Sequence, residues 1–115
     1  MADDCIFCKI VQGKLPAKIA FQNDELIAFH DINPAAPTHI LIIPRQHIAS
    51  TAEITDQSGP LVGRMVLAAA QLAREQNIEK SGYRIVTNTG PDAGQSVHHL
   101  HLHLLGGRHM AWPPG

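Results

Sequence analysis

The sequence predicts an α+β fold: a five-stranded, mainly antiparallel sheet with one long and one short helix. Two observations lead there. Five short apolar or alternating runs are bounded by turn-forming residues, and a single stretch ending near Gln76 keeps helical periodicity over several turns. Within residues 3–12, Ile6, Phe7, Ile10 and Val11 recur at helical spacing, and Gly13 supplies a C-terminal stop. Pro16 then breaks the pattern. "KIAFQ" and "ELIAFH" flank Asn23-Asp24 and read as a hairpin with a short turn. "DINPAAPTH" is a loop, because Pro34 and Pro37 prevent regular pairing. "HILIIP" is β-branched and apolar, so it reads as a buried strand closed by Pro44. The long helix starts between Thr55 and Pro60, and Leu61, Met65, Ala69, Leu72 and Ala73 form its apolar stripe. "YRIVTN" is the fourth strand, "TGPDAGQS" a glycine-rich loop and "HHLHLHLL" the fifth strand. The tail "GGRHMAWPPG" cannot extend either element.

Composition narrows the functional classes. The 115 residues fit one domain, 1–115, with 44% hydrophobic and 17% charged residues. A formal net charge of -1, with Lys and Arg scattered, dictates no surface for a nucleic-acid backbone. The opening "MADDCIFCKI" lacks the basic start and long apolar run of a signal peptide, and no apolar run approaches the roughly 18 residues that span a bilayer. The expectation is therefore a cytoplasmic protein with neither nucleic acid nor membrane as partner. In that compartment Cys5 and Cys8 stay reduced, and their spacing points to metal, redox chemistry or chance.

The most informative stretch is "GQSVHHLHLHLLGGR", residues 94–108. His99, His101 and His103 alternate with Leu100, Leu102 and Leu104, so a strand would put imidazoles on one face and leucines on the other. Three zinc ligands in a row are disfavoured. Alternate residues sit about 6.6 Å apart along a strand, which leaves the outer two about 13 Å apart. Catalysis suits the layout better: one imidazole attacks while its neighbours donate hydrogen bonds. Gly90 and Gly94 in the preceding loop let backbone N–H groups approach an anion, and Ser96 adds a hydroxyl beside the histidines.

"QSVHHLHLHLLGGR" resembles the His-φ-His-φ-His-φ-φ signature of the histidine triad (HIT) superfamily, φ being apolar. "AFHDINPAAPTHILIIP", "GYRIVTNTG" and the terminal "WPPG" are similar to its branch of histidine triad nucleotide-binding proteins, and the likeness spans the chain. It implies the HIT fold, paired as a homodimer with one continuous sheet. The tail, residues 106–115 with Trp112, would reach toward the partner and its leaving-group pocket. It implies a purine nucleoside phosphoramidase that cleaves AMP–amine conjugates through a nucleotidyl-histidine intermediate. Related branches hydrolyse dinucleoside polyphosphates or transfer nucleotidyl groups, and a non-catalytic nucleotide-binding regulator or a zinc carrier are the readings from other classes.

By position, the resemblance makes His101 the nucleophile, His103 a phosphate hydrogen-bond partner and His99 the first triad position. Ser96 would assist the leaving group, with Asn88 and the backbone near Gly94 and Gln95 as further phosphate contacts. Asp31 matches the ribose-binding carboxylate, although an Asx-type turn before Pro34 explains it equally well. Ile32, Phe29, Phe7 and Ile10 match the purine slot or are simply core. His39 matches a supporting histidine. His98 departs from the pattern: it points to the leucine face or its edge and takes no catalytic role. No cofactor is implied for catalysis. Other branches, however, hold a structural zinc on positions matching Cys5, Cys8, His47 and His99, against which stands the reading of buried, metal-free cysteines.

Overall fold

The computed structural model describes residues 4–115; the first residue of the helical stretch read at 3–12, and residues 1–2 of the domain, lie outside them. Five strands form one antiparallel sheet: β1 (Ile19–Gln22), β2 (Leu26–His30), β3 (Thr38–Pro44), β4 (Tyr83–Val86) and β5 (Leu102–Gly106), in the order β1-β2-β3-β5-β4. A short helix, α1 (Ile6–Val11), covers one face, and the long helix α2 (Gly59–Glu75) covers the other. No helix among the described residues is long and apolar enough to cross a membrane.

Local chemistry accounts for the element ends. The Cys5 Sγ caps α1 by accepting the Cys8 N–H, and Gly13 takes a positive φ of 75° just past the helix. In the β1–β2 turn the Asn23 side chain accepts the N–H groups of Glu25 and Leu26 at 2.9 and 2.8 Å. The buried residues of α2 are Leu61, Met65, Ala69, Leu72 and Ala73, the same five that its periodicity singles out.

Both faces of the central strands are covered, which is why "HILIIP" is continuously apolar. Ile40 and Ile42 pack with Leu100, Leu102 and Leu104 beneath α2. Leu41 and Ile43 pack with Phe29 and Ile27 beneath Phe7 and Cys8 of α1. The sheet sorts residues 102–104 as alternation requires, and the approach at 99–101 keeps the same order: leucines toward α2, histidines toward α1.

Three sequence expectations need correction. The fifth strand begins at Leu102, not His98. Upstream of it the backbone turns to the 45–50 loop, where Leu100 N–H donates to Ile48 O at 2.6 Å. Gly106 belongs to β5, opposite Thr38 and Tyr83, so the tail proper starts at Gly107. His98 is exposed and lies away from the leucine face. The sheet itself is antiparallel throughout its described pairs.

Met65 is fully buried between α2 and the sheet. Met65→Ala should lower the unfolding free energy by about 2–5 kcal/mol, read by urea denaturation. A change well under that range would mean that the α2 face carries little of the stability.

Candidate active site and metal cluster

Two side-chain systems meet at His99. On the first, a cleft of about 430 Å³ runs between α1, the start of the 31–37 loop and the histidines. That volume lies in the range of small-molecule sites. Its apolar wall holds Phe7, Ile10 and Phe29, with Ile32 at the rim; Asp31, Ser96, His101 and His103 supply its polar groups. Phe7 and Phe29 are also core, whereas Ile32 is 91% exposed and has no packing role.

Hydrogen bonds assign each ring's tautomer, because a carbonyl can only accept and a backbone N–H can only donate. His101 Nδ1–H donates to the His99 carbonyl at 2.6 Å, so a neutral His101 carries its lone pair on Nε2. Ala35 N–H donates to His39 Nδ1 at 3.0 Å, which leaves the proton of His39 on Nε2. That Nε2–H donates to His103 Nδ1 at 2.8 Å, with Asp31 Oδ2 3.5 Å from the same nitrogen. His103 therefore carries its own proton on Nε2. A lone pair on His101 and a donor on His103 stand side by side, their ring centroids 4.9 Å apart. Phe7 packs edge-on against His101 at 5.1 Å and against His99 at 6.0 Å.

Burial lowers the pKa of His39, His99 and His101 below the usual 6.5. His103 is pushed down to about 4, first by burial and then by repulsion from His101 and His39. All four rings are thus free bases near neutrality, as the tautomer chain requires.

Asp31 forms the Asx-type turn that its sequence context predicts. Its Oδ1 accepts the Asn33 N–H at 2.8 Å in an Asx-type turn, and the residue still lines the cleft. Asn88, Gly94 and Gln95 stand outside the lining. The N–H groups of Gly94 and Gln95 donate within their own loop, to Pro91 O and Gly90 O at 3.1 Å each. The Gln95 amide is committed as well, bonding Gly90, Ala49 and Val97. The glycine-rich loop is therefore braced internally, and the Ser96 hydroxyl is the group it leaves exposed to the cleft. Sequence reasoning missed Ile6, Leu15 to Ala17, His30, Asn33, Leu41 and Val97 in the wall. Leu41 enters the wall through the β3–β5 register, which sets it opposite His103.

The second system is Cys5, Cys8, His47 and His99, whose ligand atoms all lie within 4.8 Å of one another. Cys5 Sγ and Cys8 Sγ are 3.3 and 3.5 Å from His99 Nδ1, Cys8 Sγ is 3.1 Å from His47 Nδ1, and the two Nδ1 atoms are 3.2 Å apart. Around a tetrahedral zinc, donor atoms stand about 3.3–3.8 Å apart. His99 Nε2–H donates to Pro44 O at 2.8 Å, which frees Nδ1 as a ligand, the outer-shell arrangement usual for metal-binding histidine. Both cysteines are free. Burial and the neighbouring Cys5 push the Cys8 thiol up to about 11, so a cation must displace its proton to bind. The four donors fit a divalent metal.

Residues 4–112 match the family described as scavenger mRNA decapping enzyme C-term binding. The chain is 48% identical to an uncharacterized HIT-like protein of Synechococcus elongatus over 115 residues, all of both chains. It is 44% identical to the purine nucleoside phosphoramidase of Escherichia coli K12 over 108 residues, 94% of this chain and 91% of that one. A HIT family hydrolase from Legionella pneumophila superposes with a TM-score of 0.96 at 47% identity, covering 97% of this chain and 100% of that one.

The neutral histidines couple stability to pH. Unfolded histidine titrates near 6.5 and folded His103 near 4, so between these values the unfolded chain binds the proton first. The stability associated with a neutral His103 is full above about pH 6.5 and is lost as pH falls toward 4. Melting temperature should drop between pH 7 and 5, and less steeply in His103→Gln. Parallel melting curves for the two proteins would show that His103 burial contributes nothing to the slope.

Proposed function

The chain belongs to the histidine triad (HIT) family, and from that premise we propose that it is a purine nucleoside phosphoramidase that hydrolyses AMP–amine conjugates to AMP. One observation carries the reading. The cleft presents the Nε2 lone pair of His101 beside the Nε2–H of His103, with an exposed serine hydroxyl on the same wall. The Escherichia coli relative, 44% identical, is named a purine nucleoside phosphoramidase.

The chemistry follows from those atoms. His101 Nε2 attacks phosphorus; an N–P bond forms as the P–N bond to the amine breaks, and the amine leaves with the electron pair and takes up a proton. Water then attacks phosphorus, and the electron pair of the histidine–phosphorus bond returns to Nε2. The sum is conjugate plus water to AMP plus amine. His101 needs no strong base, because burial keeps it neutral and the His99 carbonyl holds its other proton. The His103 Nε2–H stabilises charge on the phosphoryl oxygens, its orientation maintained through His39. Asp31 accepts the ribose hydroxyls, and Phe7, Ile10, Phe29 and Ile32 enclose the purine. Asn88 and the backbone at Gly94 and Gln95 are weaker candidates for phosphate contact, since the two N–H groups are already bonded.

We also propose a structural zinc on Cys5, Cys8, His47 and His99. The ion would supply cross-linking rather than chemistry: it ties α1, a wall of the nucleotide cleft, to the loop after β3 and to the approach to β5. A homodimer completes the proposal. β4 is an outer strand of the sheet, and Val66 and Leu67 on α2 and Trp112 in the tail are exposed apolar groups. Trp112 is 81% exposed, with the Arg84 guanidinium 5.9 Å from its ring and donating to Ala111 O.

His101→Ala should reduce turnover of a fluorogenic adenosine phosphoramidate by several orders of magnitude while AMP affinity is retained, and Ser96→Ala should cost less. Intact mass after rapid quench should locate the nucleotidyl adduct on His101. An adduct on His99 or His103 refutes the assignment.

Protein purified without chelator or metal-affinity tag should contain one zinc per chain, absent in Cys5→Ser. Its melting temperature should fall on chelation. Metal-free protein whose melting temperature ignores added zinc would remove the metal from the proposal.

A further inference from the structure

Two properties set the four-donor cluster apart from an inert structural site. Its sulfurs are neighbours: Cys5 and Cys8 are both free, their Sγ atoms lie within 4.8 Å, and the Cys5 Sγ accepts the Cys8 N–H at 3.3 Å. The cluster is also open on one side. Cys5 and the exposed His47 stand in the wall of a cleft of about 410 Å³.

We propose that Cys5 and Cys8 are a redox-active pair: a hydroperoxide entering this cleft oxidises them to a disulfide, which dismantles the cluster and loosens α1. Only the fate of the ion rests on the zinc reading; the reaction of the sulfurs does not. Thiolate is the form in which sulfur binds a metal and also the form that attacks an oxidant. Cys5 Sγ, in the cleft wall, attacks a peroxide oxygen; an S–O bond forms, the O–O bond breaks, and the departing oxygen leaves with a proton as water or an alcohol. Cys8 Sγ then attacks the sulfenic sulfur; the S–S bond forms, the S–O bond breaks, and hydroxide leaves as water with a second proton. Two electrons pass from the sulfur pair to the peroxide. The protons come from solvent when the sulfurs hold an ion, and from the thiols themselves when they do not. Having a second sulfur adjacent stops the oxidation at a stage that a dithiol reverses.

Oxidation removes ligands and a clamp together. A disulfide sulfur carries no charge, so only the His47 and His99 rings remain and the ion leaves. The polar ties of α1 to His47 and His99 run through the same two sulfurs. Ile6, Phe7 and Ile10 of this helix wall the nucleotide cleft, and the Phe7 ring packs edge-on against His101 at 5.1 Å. His99 keeps its bond to Pro44 O, and its carbonyl still holds the His101 proton. Nucleotide affinity therefore takes the change, and the nucleophile is spared.

The test treats zinc-loaded protein with a small excess of hydrogen peroxide. Released zinc is followed with a colorimetric chelator, the disulfide by peptide mapping after thiol alkylation, α1 by hydrogen exchange of peptides covering residues 4–15, and affinity by calorimetry with AMP. One zinc should leave per Cys5–Cys8 disulfide, exchange in α1 should accelerate, and the AMP dissociation constant should rise several-fold. KM for an adenosine phosphoramidate should rise with it while kcat changes little. Dithiothreitol with zinc should reverse all of these, a reversal that methionine oxidation would not show. Protein purified without metal that still forms the disulfide with faster α1 exchange supports the redox pair and refutes the zinc reading alone. Exchange decides in the same way for protein that binds no AMP, an outcome that refutes the phosphoramidase reading alone. Thiols that resist peroxide, oxidation that runs on to sulfinic acid, or a disulfide that leaves α1 exchange unchanged overturns the inference.

Discussion

The backbone and ring of His99 are the constraint on which the site depends. The ring is 0% exposed, and its Nε2–H is anchored on the Pro44 carbonyl at the end of β3. Its Nδ1 faces two sulfurs and the His47 ring, while its own carbonyl accepts the Nδ1–H of His101. One residue thus links the metal-type cluster to the tautomer of the neighbouring imidazole. A shift of His99 would displace the acceptor that keeps the His101 lone pair on Nε2. Structural and chemical parts of the site are continuous through two residues of chain.

Low polarity around these rings has two consequences that act together. Burial keeps the imidazoles neutral, which preserves a nucleophilic lone pair, and it strengthens the hydrogen bonds that assign the tautomers. The sheet creates that environment. Its central strands are covered on both faces, and Phe7 of α1 seals the histidines by edge contacts to His99, His101 and Phe29. α1 has only six residues and cannot hold itself in place by helical hydrogen bonds alone. Its packing over Phe29 and Ile43, and the contacts of Cys5 and Cys8 with His47 and His99, position it as a wall of the cleft.

Much of the fold was legible in the chain because its signals are local. The five buried residues of α2 follow the 3.6 period, and the Asn23 turn follows from side-chain chemistry within three residues. The extent of β5 was not legible. The alternation of His and Leu continues through residues 99–101, but strand pairing needs a partner, and there the backbone bonds to Ile48 instead. His98 was misplaced for the same reason: off the ladder, alternation no longer dictates which way a side chain points.

The candidate site divides along the same line. By itself the sequence determined that three imidazoles and three leucines separate to opposite sides, since a period of two is intrinsic to extended backbone. It also determined which cysteines share one turn of helix. Only the tertiary structure decided that Cys5 meets His99 across 94 residues of chain, and that His39 Nε2–H donates a hydrogen bond to His103 across 64. It alone decided each tautomer and the commitment of the Gly94 and Gln95 N–H groups to their own loop. Those outcomes depend on where distant carbonyls and rings come to rest, and the strand order β2-β3-β5-β4, which brings them together, is encoded in no local pattern.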